Sequence, residues 1–286
     1  MLFASLCFAV MGGFAKELSE HLDSLEVVFF RNVFGVFLIA LSLYKSPLKK
    51  QIGGKPILLF FRGFMGFCAL LAFFYNIAHI TLAEAMTYSK TAPIFTAIFA
   101  FLFLKEKIGI FGWIGIFLGF LGMIFIMQPT GIGGFDKYDI LGLFSAIGAA
   151  LAYTSIRELR NYYDTRVIVL SFMVVGTVGP IILMIVSNFF TISWLDFMFG
   201  KFIMPSGKLW IYIIAMGVFA TLAQTYMTKA YMITNAGIVG AISYFNIPFS
   251  ILVGLYLGDK FLDILSIVGI VLIIFSGILV SMKGKK

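Results

Sequence analysis

The sequence predicts an all-α membrane protein with ten transmembrane helices, arranged as two inverted five-helix repeats. Three observations lead to this prediction: the composition, the number of long apolar segments, and a similarity between the two halves. Hydrophobic residues make up 61% and charged residues 12% of the 286-residue chain, and the mean hydropathy is +1.05. Soluble domains carry about 25% charged residues, so this composition indicates a chain solvated by lipid.

Apolar segments recur along the whole chain, and a helix needs about 20 such residues to cross a bilayer. They span residues 2–16, 26–44, 58–79, 82–104, 109–127, 139–157, 167–188, 209–231, 236–258 and 262–282. The first segment is short enough to resemble a signal peptide. It lacks a basic start, and Lys16 and Glu17 stand where a small-residue cleavage site would be, so we expect a retained helix.

The net charge of +8 is distributed unevenly between alternate loops. With a cytoplasmic N-terminus, inside loops hold 12 basic residues and outside loops hold 5. The inside set is Lys45, Lys49, Lys50, Lys55, Lys105, Lys107, Arg157, Arg160, Arg166, Lys283, Lys285 and Lys286, and the outside set is Lys16, Lys137, Lys201, Lys208 and Lys260. This excess predicts that both termini are cytoplasmic, and it explains the basic charge without a nucleic-acid partner.

An internal duplication links the two halves. The stretch around Pro93 and the stretch around Pro248 both lie in apolar segments, and each is followed by a charged turn and another apolar segment. Five helices per half make the halves antiparallel, and such repeats place a transport site between them. We therefore expect one repeat at residues 1–130 and a second at residues 137–283. Matched mid-helix prolines also predict a kink or break in each half, with a hinge role for both.

The chain resembles the EamA-type branch of the drug/metabolite transporter superfamily over essentially its whole length. The resemblance rests on Arg31, Pro93, the turn 103–107, the glycine-spaced stretch 112–122, the stretch 224–231, Pro248 and the turn 257–260. It implies a multi-pass carrier of the inner (cytoplasmic) membrane. The stretch 224–231 is similar to S-adenosylmethionine-uptake-like carriers. The second half departs from the pattern, because Asp259 replaces the usual Glu and lies 11 residues after Pro248 rather than 13.

Lys90 is the principal candidate for a substrate ligand. It lies about 12 Å into its segment, where a cation costs about 2.5–3.5 kcal/mol on insertion scales. We expect it to line a cavity and meet an anionic group, and the alternative is an internal ion pair that fixes helix packing. The full predicted binding set is Lys90, Tyr88, Thr91, Gln224, Tyr244 and Asn246, for which interhelical hydrogen bonding is the alternative.

Other polar and small residues receive structural or gating interpretations. Arg31 lies near the start of its segment, where it can snorkel or pair with a nearby carboxylate, and the family resemblance implies a gating or substrate role for it. Arg62 and Lys229 are interpreted chiefly as anchors at the cytoplasmic interface. Glycines of the fifth and tenth segments predict close helix packing, in a monomer or in a homodimer through these two helices.

The function that fits these features is transport of small metabolites, amino-acid-like or S-adenosylmethionine-like, by alternating access. Transport is facilitative or gradient-driven, since the chain has no nucleotide-binding domain. Alternatives are a multidrug or metabolite efflux carrier and, less favoured, an integral-membrane enzyme. Cys7, Cys68 and two histidines provide no metal or catalytic spacing, so we expect no enzyme activity, no metal and no cofactor.

Overall fold

The computed structural model describes residues 1–48, 53–104, 109–127, 136–189, 192–233, 239, 242–259 and 263–281, and within them the chain is helical, without β-strands. The helices are α1 (Leu2–Ser19), α2 (Ser24–Lys45), α3 (Pro56–His79), α4 (Leu82–Ser89), α5 (Ala92–Leu104), α6 (Ile110–Met127), α7 (Lys137–Leu159), α8 (Thr165–Ser187), α9 (Leu209–Ile233), α10 (Asn246–Tyr256) and α11 (Ile264–Ser281). A short 3₁₀ helix, Ser193–Met198, lies between α8 and α9. The charged turn at 105–107, Lys260 and the predicted repeat boundary at 131–136 lie wholly or mostly outside the described residues.

Local sequence signals account for where several helices begin. Capping boxes start α2 at Asp23, α4 at Thr81 and α7 at Asp136, with an acidic residue three positions later in each case. These pairs satisfy backbone donors that have no partner within the first helical turn. Pro56 begins α3, at a position where its missing N–H costs nothing.

The described helices are those of a multi-pass membrane protein. Seven spans, one of them running from Glu84 to Phe103, are long and apolar enough to cross a bilayer, and α6, α10 and α11 contain shorter apolar stretches. Large apolar side chains cover much of the outer surface, for example Phe37, Phe117, Leu252 and Val271. This exposure is the arrangement that a lipid environment stabilises, because lipid tails are as apolar as these side chains.

Both proline-containing segments are interrupted immediately before the proline. In the first half α4 ends at Ser89, Lys90 and Thr91 form a turn, and α5 begins at Ala92. In the second half Tyr244 and Phe245 form a turn before α10. Pro93 and Pro248 therefore stand in the first turn of a new helix rather than in mid-helix, which avoids the loss of an internal hydrogen bond. The expected break is present in both halves, and the hinge role stays a prediction.

The helices pack in a pattern that crosses between the halves. The main neighbours are α1 with α9 and α10, α2 with α8 and α9, α3 with α7 and α8, α5 with α7, α4 with α10, and α6 with α11. Helices α1–α4 and α7–α9 thereby surround the centre of the molecule. The pair formed by α6 and α11 contacts the rest mainly through α5.

Glycines bring α6 and α11 into close contact within one chain. A Cβ atom on Gly122 would lie 2.7 Å from the backbone oxygen of Gly269, and one on Gly119 would lie 2.6 Å from Ser276 Oγ. The Ser276 hydroxyl also donates to the Gly115 carbonyl at 2.6 Å. The predicted small-residue packing thus occurs between these two helices of the same chain, and oligomeric state stays a prediction.

Candidate functional site

A cavity of about 70 Å³ lies between the two halves of the chain. Its walls come from α1, α2, α3, α4 and the turn after it, α7, α8 and α9. They comprise Phe8, Met11, Arg31, Arg62, Gly66, Ala69, Leu70, Phe73, Met86, Ser89, Lys90, Ser145, Ala149, Ala152, Tyr153, Phe172 and Gln224. A mostly apolar cavity with a few convergent polar groups is the usual form of a small-molecule site.

Three cations line this cavity, and none of its described lining residues is acidic. Arg31 and Arg62 are each 1% exposed, and Lys90 is 9% exposed. Within the described part of the chain, no carboxylate forms an ion pair with any of the three. Buried charges are normally paired, since an isolated one is costly to desolvate. The arrangement therefore suits a ligand that brings negative charge.

Arg31 and Arg62 share one aromatic neighbour. Their guanidinium carbons lie 5.3 Å and 4.6 Å from the centre of the Phe172 ring, a cation–π arrangement. Gly66 permits this approach, because a Cβ there would lie 2.8 Å from Phe172 and 3.0 Å from Arg62. The Arg31 guanidinium donates to Asn32 Oδ1 at 2.9 Å, while the Nε atoms of both arginines have no hydrogen-bond partner.

Lys90 occupies a different part of the lining. Its ammonium lies 5.4 Å from the centre of the Phe8 ring of α1. Its position follows from the helix break, because the Lys90 backbone N–H still bonds to Met86 and Thr87 at the end of α4. The side chain thus leaves the backbone at a turn, directly beside Ser89 of the same cavity.

Ion pairs connect helices at the two ends of α3. At the end that follows α3, Asp259 accepts from Lys16 Nζ at 2.5 Å and from the Leu82 backbone N–H at 2.9 Å. Lys16 also donates to the Ile80 carbonyl at 3.2 Å. Before α3, Lys55 pairs with Glu158 at 2.6 Å. These contacts tie α1, α4 and α10 together at one end, and α3 to α7 at the other.

A second polar cluster lies at the Asp259 end. The Asp196 carboxylate accepts from the Tyr75 hydroxyl at 2.8 Å and forms an ion pair with Lys137. Partial burial raises the pKa of Asp196, and the hydrogen bonds from Lys137 and Tyr75 more than offset this, so its pKa lies below the usual range. The cluster joins the 3₁₀ helix to α3 and α7.

Comparison with known proteins identifies the family. The model described as "EamA-like transporter family" matches residues 1–128. An "Uncharacterized transporter" of Helicobacter pylori is 36% identical over 99% of this chain and 94% of its own length. The chain belongs to the EamA-like transporter family.

Other relatives agree with this assignment to the EamA-like family. The "Pseudopaline exporter CntI" of Pseudomonas aeruginosa is 34% identical over 99% of this chain and 95% of its own length. "Solute carrier family 35 member G1" of Mus musculus is 26% identical over 84% of this chain and 70% of its own length. A crystal structure with 14% identity covers 97% of this chain and 95% of its own with a TM-score of 0.65, which shows a shared fold alone.

Two of the six predicted binding residues line the cavity of this EamA-like protein, Lys90 and Gln224. The other four lie outside the lining. Their side chains contact other protein groups instead. The Tyr88 hydroxyl donates to Asp139, the Thr91 hydroxyl donates to the Tyr88 carbonyl at 2.7 Å, the Asn246 amide donates to the Ser5 carbonyl at 2.8 Å, and Tyr244 packs against Gly277. A ligand role for any of the six stays a prediction.

The sequence-based interpretation of Arg62 as an interface anchor is wrong, because its side chain is buried in the cavity wall. Its neighbour Phe172 comes from α8, far away in the sequence, so the burial depends on tertiary packing. Arg31 likewise neither snorkels nor forms a carboxylate pair within the described residues, and its gating role stays a prediction. A sequence signal for this burial was the pair of glycines one and four positions after Arg62. Gly63 and Gly66 allow close packing of α8 against this part of α3.

Proposed function

We propose that this protein transports small organic anions or zwitterions across the inner membrane by alternating access, through the cavity between its halves. The observation that carries the proposal is that three cations line one cavity, without an acidic residue among the described lining residues. A net-positive substrate is disfavoured there, since like charges repel strongly in a medium of low dielectric constant. Lys90 is the proposed ligand for an anionic group, and Gln224 contributes an amide to the same cavity lining.

The proposal includes ten membrane crossings in two inverted repeats, with both termini cytoplasmic. The packing supports this arrangement. The two repeats are compared by matching α1 with α7, α2 with α8, α3 with α9, α4–α5 with α10, and α6 with α11. When the matched helices are exchanged, each main contact between helices becomes a contact that is also observed. The α3–α7 contact becomes α9–α1, α3–α8 becomes α9–α2, and α5–α7 becomes α10–α1, while α2–α8 and α6–α11 map onto themselves.

The names of relatives are compatible with an organic substrate. One relative is named an exporter of pseudopaline, and another, from Vibrio cholerae, a riboflavin transporter. They differ in printed substrate, so the charge of the cavity is the stronger guide for this chain. Transport is downhill or coupled to an ion gradient. The proposed unit is a monomer, since the α6 and α11 glycines named for a homodimer already pack within one chain.

Replacing Lys90 with methionine tests the proposal. Lys90→Met keeps the length, removes the charge, and lowers the cost of placing this residue in the membrane. We expect unchanged or higher thermal stability. Binding and uptake of anionic substrates should fall about tenfold to a hundredfold, because a charge-assisted contact is worth about 1.5–3 kcal/mol. Vesicle uptake of labelled amino acids, carboxylates and vitamins measures the transport.

The matched control is Lys229→Met, which removes a cation from an exposed position on α9. It should leave anion transport unchanged. A structural role for Lys90 gives the opposite pattern, in which Lys90→Met unfolds at lower temperature but its folded fraction transports normally. That result would refute Lys90 as a ligand.

A further inference from the structure

The cavity contains two separate groups of cationic side chains. Lys90 contacts the Phe8 ring of α1, whereas Arg31 and Arg62 both contact the Phe172 ring of α8. The two aromatic rings belong to different halves of the chain. A ligand spanning the cavity can therefore contact a cation at each of two places.

We propose that Arg31 and Arg62 form a second anion-binding site in this cavity, so that the transported substrate carries two anionic oxygen groups. This inference rests on the proposed function and extends it from an anion to a dianion. One group binds at Lys90, and the second, a carboxylate or a phosphate-like group, binds between the two guanidinium groups.

The hydrogen-bonding state of the arginines supports a ligand at this position. The only hydrogen bond that either guanidinium makes in the described structure is the one from Arg31 to Asn32 Oδ1. Asn32 is itself fixed, since its amide donates to the Val28 and Gly176 carbonyls at 2.8 Å and 3.2 Å. The buried Nε atoms of both arginines remain without an acceptor. A guanidinium presents five donors, and its fork matches the two oxygens of a carboxylate or phosphate.

The positive charges of Arg31 and Arg62 also favour an anion bound between the two side chains. Arg31 and Arg62 repel each other in a buried setting, and an anionic group bridging them would replace this repulsion with two attractive contacts. Phe172 contacts both guanidinium groups but supplies no hydrogen-bond acceptor for the Nε–H groups. A ligand with oxygen acceptors would satisfy these donors and offset the cost of burying two charges.

Matched series of acids test the inference on the purified full-length protein in lipid nanodiscs. Succinate, glutarate and adipate are compared with butyrate, valerate and hexanoate, and 3-phosphonopropionate replaces one carboxylate of succinate with a phosphonate. Binding is measured by calorimetry and by the shift in melting temperature. We expect at least one diacid to bind about tenfold to a hundredfold more tightly than the monoacid of equal carbon number. A preference for the phosphonate would identify the second group as phosphate-like.

Variants of the two arginines test whether the tighter binding of diacids depends on Arg31 and Arg62. Arg62→Gln should lower diacid affinity to that of the matched monoacid, and Arg62→Lys should retain part of the diacid advantage, because charge remains but the fork is lost. Arg31→Gln provides the same test if Arg62→Gln does not fold. Lys229→Gln, on the exposed face of α9, should bind all acids as the wild type does.

The outcomes separate this inference from the proposed function. If monoacid binding depends on Lys90 but no diacid binds more tightly, the second site is refuted and the anion carrier stands. A diacid advantage that persists in both Arg62→Gln and Arg31→Gln also refutes the second site. If Lys90→Met binds monoacids as well as the wild type does, the proposed function fails first.

Discussion

Removing the charge of Asp259 should weaken the contacts between the two halves at this end of the molecule, and so favour opening of the cavity toward that side. Its side chain is 13% exposed and that of Lys16 is 23% exposed, so the pair is shielded from water on most sides. One carboxylate connects α1 through Lys16, α4 through the Leu82 N–H, and the end of α10. Alternating access requires such contacts between the halves to break when that end opens.

The magnitude follows from the loss of a single ion pair. In Asp259→Asn an amide oxygen can still accept from Leu82, whereas the attraction between Asp259 and the Lys16 ammonium disappears. A charge-assisted contact of this kind is worth about 1.5–3 kcal/mol. If it exists only in the closed state, its removal shifts the equilibrium toward the open state about tenfold to a hundredfold.

Thiol labelling measures this shift. Ser89→Cys places a thiol in the cavity wall, in a background with Cys7 and Cys68 replaced. A membrane-impermeant maleimide is then applied from either side, using intact cells and inverted vesicles. The labelling rate from the side that carries Asp259 should rise about tenfold or more in Asp259→Asn, because the rate follows the population of the open state.

A matched change at the other end provides the control. The Lys55–Glu158 pair is more exposed, at 39% and 35%, and exposed pairs are worth about 0.2–1 kcal/mol. Glu158→Gln should therefore leave labelling from the Asp259 side unchanged. Equal labelling rates in the wild type and Asp259→Asn, or the same increase from both sides, would refute the reasoning.

Three further predictions concern packing, pH and topology. Gly277→Ala would place a Cβ 1.9 Å from the Tyr244 ring, and overpacking of this kind costs about 1–3 kcal/mol, so the melting temperature in detergent should fall. Folding lowers the pKa of Asp196, so its contribution to stability is complete above the usual carboxyl pKa and is lost as pH falls through the lowered value. Acid should therefore speed proteolysis within the 3₁₀ helix Ser193–Met198, and Asp196→Asn should make the rate of this cleavage independent of pH. Gly134→Cys should label in intact cells and Gly53→Cys only after permeabilisation, and the reverse would contradict the proposed orientation.

Sequence reasoning predicted what depends on local pattern. Apolar length indicated the spans, and the repeated prolines indicated where the helices break, because a proline cannot donate to the preceding turn. It also directed attention to Lys90, since a lysine inside an apolar run is unusual in any context. These features follow from short stretches of the chain.

The remaining site residues depend on contacts between distant segments. Arg62 lies near the start of α3, so its position along the helix indicated an interface anchor, whereas its burial results from Phe172 of α8. The predicted binding residues of the second half, Gln224, Tyr244 and Asn246, were chosen as polar groups within apolar segments, and of the three only Gln224 lines the cavity. At the Pro93-to-Pro248 offset Lys90 corresponds to Phe245, which is exposed. The backbone break is therefore repeated in the second half, but the lysine within it is not.

The pairing of α6 with α11 has a practical consequence for work on this protein. None of the cavity-lining residues in the described structure belongs to either helix. Outward-facing residues such as Trp113 and Phe275 can be replaced with cysteine and labelled with fluorophores in detergent before reconstitution, because they lie on a part of the molecule separate from the cavity. Labels placed there can report on the conformational cycle of a carrier whose substrate selectivity is unaltered.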